Sequence, residues 1–395
     1  MTEAANMPET ESPRKPTLAA RLLALAFGLL LALALVEGAG RLVLGFEPLP
    51  GWAQDFKDRV GYELRPGQTY TYASQNGEFE TEVRHNSRGL HDVEHTLEKA
   101  PDTFRVLILG DSYPHAREVP LETNFARQLE GLLPDHVAAE NVEVINAGHF
   151  GLGTTQAYLT YVEEGRRYDP DLVLLGFYVG NDVVDNHAPL IKAWNQIDTV
   201  DFPYFDPDGT LHQPGLERGR RLASWLRNNV YIISAVADAI SGNTTSDRVE
   251  VGDPAAINAQ TLRVPMGVYA APDDTWTGAW QATAHALTAL RDAVTEDGAT
   301  LAVFIIPDRR QVYDADWQAT LDRLPDLDPA MLDRERPTDA TLALLDELGI
   351  PALSLLPDFR AATERVYFEI DGHFTPVGHT LTAQALAGWI EGLGS

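Results

Sequence analysis

From Phe104 onward, short apolar runs alternate with stretches of helical spacing, and this rhythm constrains the fold more than any other feature of the chain. The runs are "FRVLIL" (104–109), "VEVIN" (142–146), "LVLLGFY" (172–178), "TLAVFII" (300–306) and "PALSL" (351–355). Apolar runs of this length predict strands buried on both faces. Residues 121–133, 155–167, 276–297, 338–348 and 376–392 instead repeat apolar positions every three to four residues, the pattern of a helix with one side on a core. Strands separated by helices predict a parallel sheet covered on both faces: a doubly wound, three-layer α/β/α fold whose ligands sit at the carboxyl ends of the strands.

Two segments precede that body. "RLLALAFGLLLALALV" (21–36) is uncharged after Arg21 and, with "PTLAA" before it, is long enough to cross a bilayer once Arg21 snorkels to the surface. Arg14, Lys15 and Arg21 precede the run, and Glu37 and Arg41 follow it. The positive-inside rule then predicts a cytoplasmic N-terminus and the bulk of the chain outside the cytoplasmic membrane, periplasmic or extracellular. We expect a polar cytoplasmic tail at 1–17 and a transmembrane signal-anchor at 18–36. A cleaved signal peptide, with small residues in "ALAL" (32–35), and a buried core helix are the alternatives. In "TYTYASQNGEFETEVRH" (69–85), Phe79, Thr81 and Val83 alternate with Glu78, Glu80 and Glu82 after Asn76-Gly77, a hairpin signal. Residues 37–100 are thus expected to form a juxtamembrane linker with a small β appendage, and 101–395 the main domain, with an insertion at about 200–270. Within the insertion, "LASWLRNNVYIISAVADAI" (222–240) puts Leu222, Trp225, Leu226, Ile233 and Val236 on one helix face, expected to pack on the protein, with a lid or lipid-facing flap as the rival.

The chain carries 58 acidic against 30 basic residues, a net charge of −28. Phosphate backbones require a basic surface, so nucleic acid is not an expected partner, and phosphodiester substrates are disfavoured. Cysteine is absent, which excludes disulfides, thiolate nucleophiles and thiolate metal sites. Covalent chemistry is left to Ser, Thr, Asp, Lys, His or Tyr.

The predicted sheet brings four polar stretches to one edge. They are "GDS" (110–112), "NAGHFGLGT" (146–154), "GFYVGNDVVDN" (176–186) and "DGHFTPVGHTLTAQALAGW" (371–389). Between them they supply a hydroxyl, a Gly-rich turn with free N–H groups, a carboxamide, an imidazole and a carboxylate, the groups that acyl transfer through a serine needs. In this order the blocks resemble those of the SGNH hydrolases, the GDSL-type esterase and lipase superfamily, over about residues 104–390. "NSRGL" (86–90) resembles the stretch ahead of the first block in membrane-anchored bacterial members. The chain holds no G-x-S-x-G, the elbow of α/β-hydrolases.

The resemblance implies a flavodoxin-like sheet and a set of roles. Ser112 matches the nucleophile and His373, by its distance from Gly378, the general base. Gly151, in preference to Gly148, matches the glycine whose N–H binds the oxyanion, joined by the Asn181 carboxamide and the Ser112 N–H. The acid is expected at Asp371, two residues before the histidine, whereas most members place it three before, where Ile370 stands. Glu369, a distant carboxylate or a serine–histidine dyad are the alternatives. Asp111 and Asp182 are expected to be turn and hydrogen-bonding residues, His149 and His187 to lie behind the site or on the surface, and His379 to pack at the last helix. Arg309 and Arg310, in "IIPDRRQVY" (305–313), are expected to be surface charges, and are also the candidates for binding an anionic part of the substrate. No cofactor and no metal are expected. "HDVEH" (91–95) fits the zinc spacing H-x-x-E-H, but no helix is predicted there, so a solvated loop is the expectation.

The function expected is that of a membrane-anchored, extracytoplasmic serine esterase working through an acyl-enzyme on O-acylated, notably O-acetylated, carbohydrate of the cell envelope. A lipase or lysophospholipase, an O-acyltransferase, and a non-catalytic glycan-binding module are the alternatives.

Overall fold

The computed structural model describes residues 17–241, 248–251 and 258–393, so the tail expected at 1–17 lies, apart from Thr17, outside them. In chain order the strands are β1 (Thr69–Ser74), β2 (Glu80–Arg84), β3 (Thr103–Gly110), β4 (Asn141–Asn146), β5 (Leu172–Tyr178), β6 (Tyr204–Phe205), β7 (Leu211–His212), β8 (Arg248–Val251), β9 (Thr300–Ile306) and β10 (Ala352–Ser354). The described residues of 1–49 and 223–244 form one compact unit, and those of 50–222 and 245–395 form another.

In the larger unit the five predicted runs make one parallel sheet, in the order β4-β3-β5-β9-β10. Counting only these five, that is 2-1-3-4-5, the flavodoxin-like order. Successive side chains of a strand leave on opposite faces, and the core divides accordingly. Leu107, Leu109, Val173, Leu175, Val303 and Ile305 pack with residues of the helices Thr154–Glu163 and Asp274–Glu296. Val106, Ile108, Leu172, Leu174, Phe304 and Ile306 pack with residues of the helices Phe125–Leu132 and Pro376–Leu393. Each of these apolar side chains contributes about 1.5–3 kcal/mol by leaving water, and the two cores hold the helices on either side.

The hairpin forms where the Asn-Gly signal lies, with Tyr72 opposite Thr81. It closes through residues 75–79 rather than a two-residue turn, with Gly77 at φ +79°. The insertion returns strand β8 to pair in parallel with β1. Tyr72, Phe79 and Val83 are buried with Phe368 packed against them, so the element read from sequence as part of a linker lies against the segment leading to His373.

In the smaller unit, the helix Leu18–Leu42 has a mean hydropathy of 2.4 over an apolar window that is wholly exposed, and is long and apolar enough to cross a membrane. The stretch expected as one packed helix is two, Arg218–Asn229 and Tyr231–Ser241. Gly40 accommodates the Tyr231 ring where a Cβ would lie 2.2 Å from it. The Arg41 guanidinium donates to the Asn229 carbonyl at the break between the helices (2.7 Å), and Glu37 accepts from the Ile232 N–H (3.4 Å). Leu222, Trp225, Ile233 and Val236 of the face expected to pack are exposed.

Candidate active site

Strand β3 ends at Gly110, and a short helical turn, Ser112–His115, follows. Asp111 caps it by accepting the Tyr113 N–H (3.0 Å). Pro114 of this turn rests on glycines from three neighbouring segments. A Cβ on Gly110 would lie 2.8 Å from Pro114 Cγ, one on Gly148 2.5 Å from Pro114 Cβ, and one on Gly176 3.0 Å from Pro114 Cγ. Gly110 at the end of β3, Gly176 within β5 and Gly148 in the loop after β4 therefore let the Ser112 turn sit down onto the sheet edge, and any side chain there would lift it.

Ser112 is buried, and its Oγ lies 2.8 Å from His373 Nε2. On the other side of the ring, His373 Nδ1 is 2.6 Å from Asp371 Oδ1, the same oxygen that accepts the His373 backbone N–H (3.1 Å). With Nδ1–H donated to Asp371, Nε2 of the neutral imidazole is the atom placed to accept the Ser112 hydroxyl proton. The two-residue spacing works because Gly372, at φ +90°, lets the chain turn back and fold the carboxylate onto the ring. Glu369, the neighbouring candidate for the acid, is exposed.

Contacts from three other parts of the chain fix the loop carrying Asp371 and His373. Glu78, beyond the hairpin's Asn-Gly, accepts the N–H groups of Ile370 and Asp371 (2.9 Å each). The Tyr113 hydroxyl donates to the Gly372 carbonyl (3.0 Å), and Arg309 Nη1 to the Glu369 carbonyl (2.7 Å). Arg309 thus braces this loop. Arg310 is turned inward onto Asp308 (3.0 Å), whose carboxylate, with the Tyr269 and Tyr178 hydroxyls, outweighs burial and holds the guanidinium charged.

Asn181 starts the turn Asp182–Asp185 after β5, and one of its amide N–H groups donates to Asp111 Oδ2 (3.3 Å). That anchors the carboxamide and leaves its second N–H for another acceptor. The two glycines of the β4 loop differ: the Gly148 N–H is taken by Asn146 Oδ1 (3.0 Å), whereas Gly151 stands exposed at φ +73° with open space around it. Burial pushes the Asp111 carboxyl up to about 6, and burial together with the Asp111 charge holds Asp182 well above the usual carboxylate range.

Sequence reasoning missed several residues that the fold brings here. Glu118, six residues after the nucleophile, is buried with its Oε1 3.4 Å from His373 Nδ1. Arg117 lies between the rings of Tyr72 (4.0 Å) and Phe150 (3.6 Å). Burial opposes charge on the imidazole, but Glu118 and Asp371 overcome it and raise His373 to about 9, while the His373 charge holds Asp371 below its ordinary range against its own burial. Ligand-capable atoms of Glu118, Asp371 and His373 converge within 4.8 Å of one another, with Nδ1 paired to Asp371.

"HDVEH" is neither a zinc helix nor a solvated loop. His91 Nδ1 bonds to the His115 carbonyl (2.8 Å), His95 to Asp92 (3.0 Å), and Glu94 to Ser87, so the three side chains diverge. His91, His115 and His149 are buried with their imidazoles held neutral by desolvation. His187 is also buried, and His379 packs inside the last helix, stacked on Phe125.

Comparison with known proteins gives the following. No curated protein sequence matches the chain. Among solved structures, the acetyl xylan esterase AlAXEase is similar at 13% identity and a TM-score of 0.38, over 73% of this chain and 100% of that one. A lipase/acylhydrolase from Enterococcus faecalis is similar at 14% identity and a TM-score of 0.34, over 73% of this chain and 96% of that one. Residues 269–394, which include Asp371 and His373, match the family described as the SGNH hydrolase-like domain of the acetyltransferase AlgX.

Proposed function

We propose that the chain is a serine esterase or acyltransferase of SGNH type. The observation that carries this is the unbroken relay from Ser112 Oγ through both nitrogens of His373 to Asp371, at 2.8 and 2.6 Å. In the first step His373 Nε2 takes the Ser112 proton as Oγ attacks the ester carbonyl. The oxyanion is met by the free N–H of Asn181 and the backbone N–H groups of Gly151 and Ser112. Collapse expels the alcohol, which takes the proton back from Nε2 and leaves an acyl-Ser112. Water, or a second hydroxyl, then repeats the sequence in reverse.

The acyl group is an acetyl carried on carbohydrate. The family match of residues 269–394 to an acetyltransferase domain supports the acetyl group, and it supports transfer to a hydroxyl as well as hydrolysis. The helix Leu18–Leu42 anchors the protein, with residues after Glu37 outside the cytoplasm. Its length, hydropathy and flanking charges support this.

The test is to incubate the full-length protein in detergent with a fluorophosphonate probe and with p-nitrophenyl esters of increasing chain length. Labelling that disappears in Ser112→Ala, with turnover highest on acetate, is the expected result. Labelling that survives in Ser112→Ala removes the mechanism, and a preference for long chains replaces acetyl with lipid as the substrate.

A further inference from the structure

We propose that Glu118 is a positioning residue acting through His373: a second, buried carboxylate that faces Nδ1 beside Asp371 and stabilises the imidazolium formed during acyl transfer. The inference rests on the Ser112–His373–Asp371 reading above and extends it to the pH at which that site works.

The geometry is specific. Asp371 occupies the Nδ1 proton at 2.6 Å, and Glu118 Oε1 stands 3.4 Å from the same nitrogen. Glu118 is 2% exposed, and this oxygen has no hydrogen-bond partner. A buried carboxylate oxygen without a donor is costly unless a positive charge faces it. Two charges do: the imidazolium, and Arg117, whose Nε lies 3.8 Å away. Tyr113 of the Ser112 turn packs on the ring and Asp111 adds its charge to it, while Tyr72 from β1 faces Glu118 and Asp371, and His379 of the last helix feels the His373 charge. Burial raises Glu118, as it must for a second carboxylate beside Asp371, while the His373 charge draws it down. One cation placed between two acids is the arrangement that releases a proton late.

The consequence for catalysis has a definite sign. Below the pH at which His373 loses its proton, ground state and transition state both carry the imidazolium, so removing Glu118 changes their difference little. Above it, the ground state is neutral while the transition state is not, so removing Glu118 slows acylation. Glu118→Gln keeps the shape and removes the charge. An opposite charge at this range shifts a neighbouring group by about one to three pH units.

The experiment follows the fluorophosphonate labelling rate of the full-length protein from pH 5 to 10 in wild type, Glu118→Gln and Ser112→Ala, with thermal unfolding of each. Wild type is expected to rise in a limb near pH 9, the value to which His373 is raised. The limb in Glu118→Gln should fall by one unit or more, with the rate relative to wild type declining as the pH rises through it. A limb that stays in place, with a uniform loss at every pH, overturns the proposal and leaves the triad reading intact. Labelling of Ser112→Ala overturns the triad reading itself. Should Glu118→Gln fail to fold, wild type alone still decides: a limb below pH 7 contradicts two carboxylates acting on His373.

Discussion

Gly148→Ala tests whether the position of the nucleophile depends on the three glycines beneath it. The new methyl would lie 2.5 Å from Pro114 Cβ, 2.7 Å from the His115 amide nitrogen and 2.9 Å from the Pro114 carbonyl carbon. Ordinary contact begins near 3.4 Å, so the turn must retreat by most of an ångström. Two of the three atoms are backbone of the segment that starts at Ser112, and no flexible side-chain end can yield in their place. Overpacking of this kind costs about 1–3 kcal/mol of stability. A displacement near 1 Å at reacting atoms costs on the order of 10²-fold in rate. Gly349→Ala and Gly131→Ala are the controls. The first, just past the helix Arg336–Glu347, has open space but a φ of +66°, a strain of about 1–2 kcal/mol with no displacement of Ser112. The second lies in the helix Phe125–Leu132 with nothing within 4 Å, and should gain up to about 1 kcal/mol. Urea unfolding midpoints give the stabilities and fluorophosphonate labelling gives the reactivity of Ser112. Wild-type labelling in a fully folded Gly148→Ala would refute the idea that the glycines set the height of the nucleophile.

Three further outcomes follow from the same geometry. Asn181→Ala should lower turnover of p-nitrophenyl acetate by about 10²–10³-fold with little change in unfolding midpoint, since it removes one oxyanion donor; a loss under tenfold would take Asn181 out of that role. Glu78→Ala leaves the Ile370 and Asp371 N–H groups without their shared acceptor, so kcat should fall by roughly ten- to a hundredfold with KM little changed, and Glu78→Gln should recover part of it. His149, pushed down to about 3 by burial and stacked on Tyr62 at 4.7 Å, stays neutral in the folded protein while the unfolded chain takes up a proton below its ordinary value of about 6.5. Its contribution is therefore complete above pH 7 and is lost as the pH falls from there towards 3. His149→Phe should gain about 2–3 kcal/mol on wild type between pH 7.5 and 4.5 by denaturant titration, and an unchanging difference would contradict a neutral buried imidazole.

Much of this molecule is legible in the chain because its signals are local. An apolar run five to seven residues long reads as a buried strand wherever it lies, and the core strands β3, β4, β5, β9 and β10 fall where those runs are. Asn76-Gly77 announced the hairpin for the same reason, since turn chemistry is a property of adjacent residues. The Asp371-Gly372-His373 stretch was legible as one candidate among several, because a glycine between an acid and a histidine permits one to fold onto the other.

Partnerships between distant segments could not be read this way. Glu118 is far from His373 in sequence, and only the fold brings the two to 3.4 Å. Glu78 belonged to a linker until its carboxylate met two amides almost three hundred residues away. Arg309 and Arg310 are adjacent in sequence, yet one braces the histidine loop and the other is held inside by Asp308. Composition and periodicity dictate which residues must leave water, and that determined the layers and the sheet. Which charge faces which nitrogen depends on where the loops end in space, and only the tertiary structure decided that.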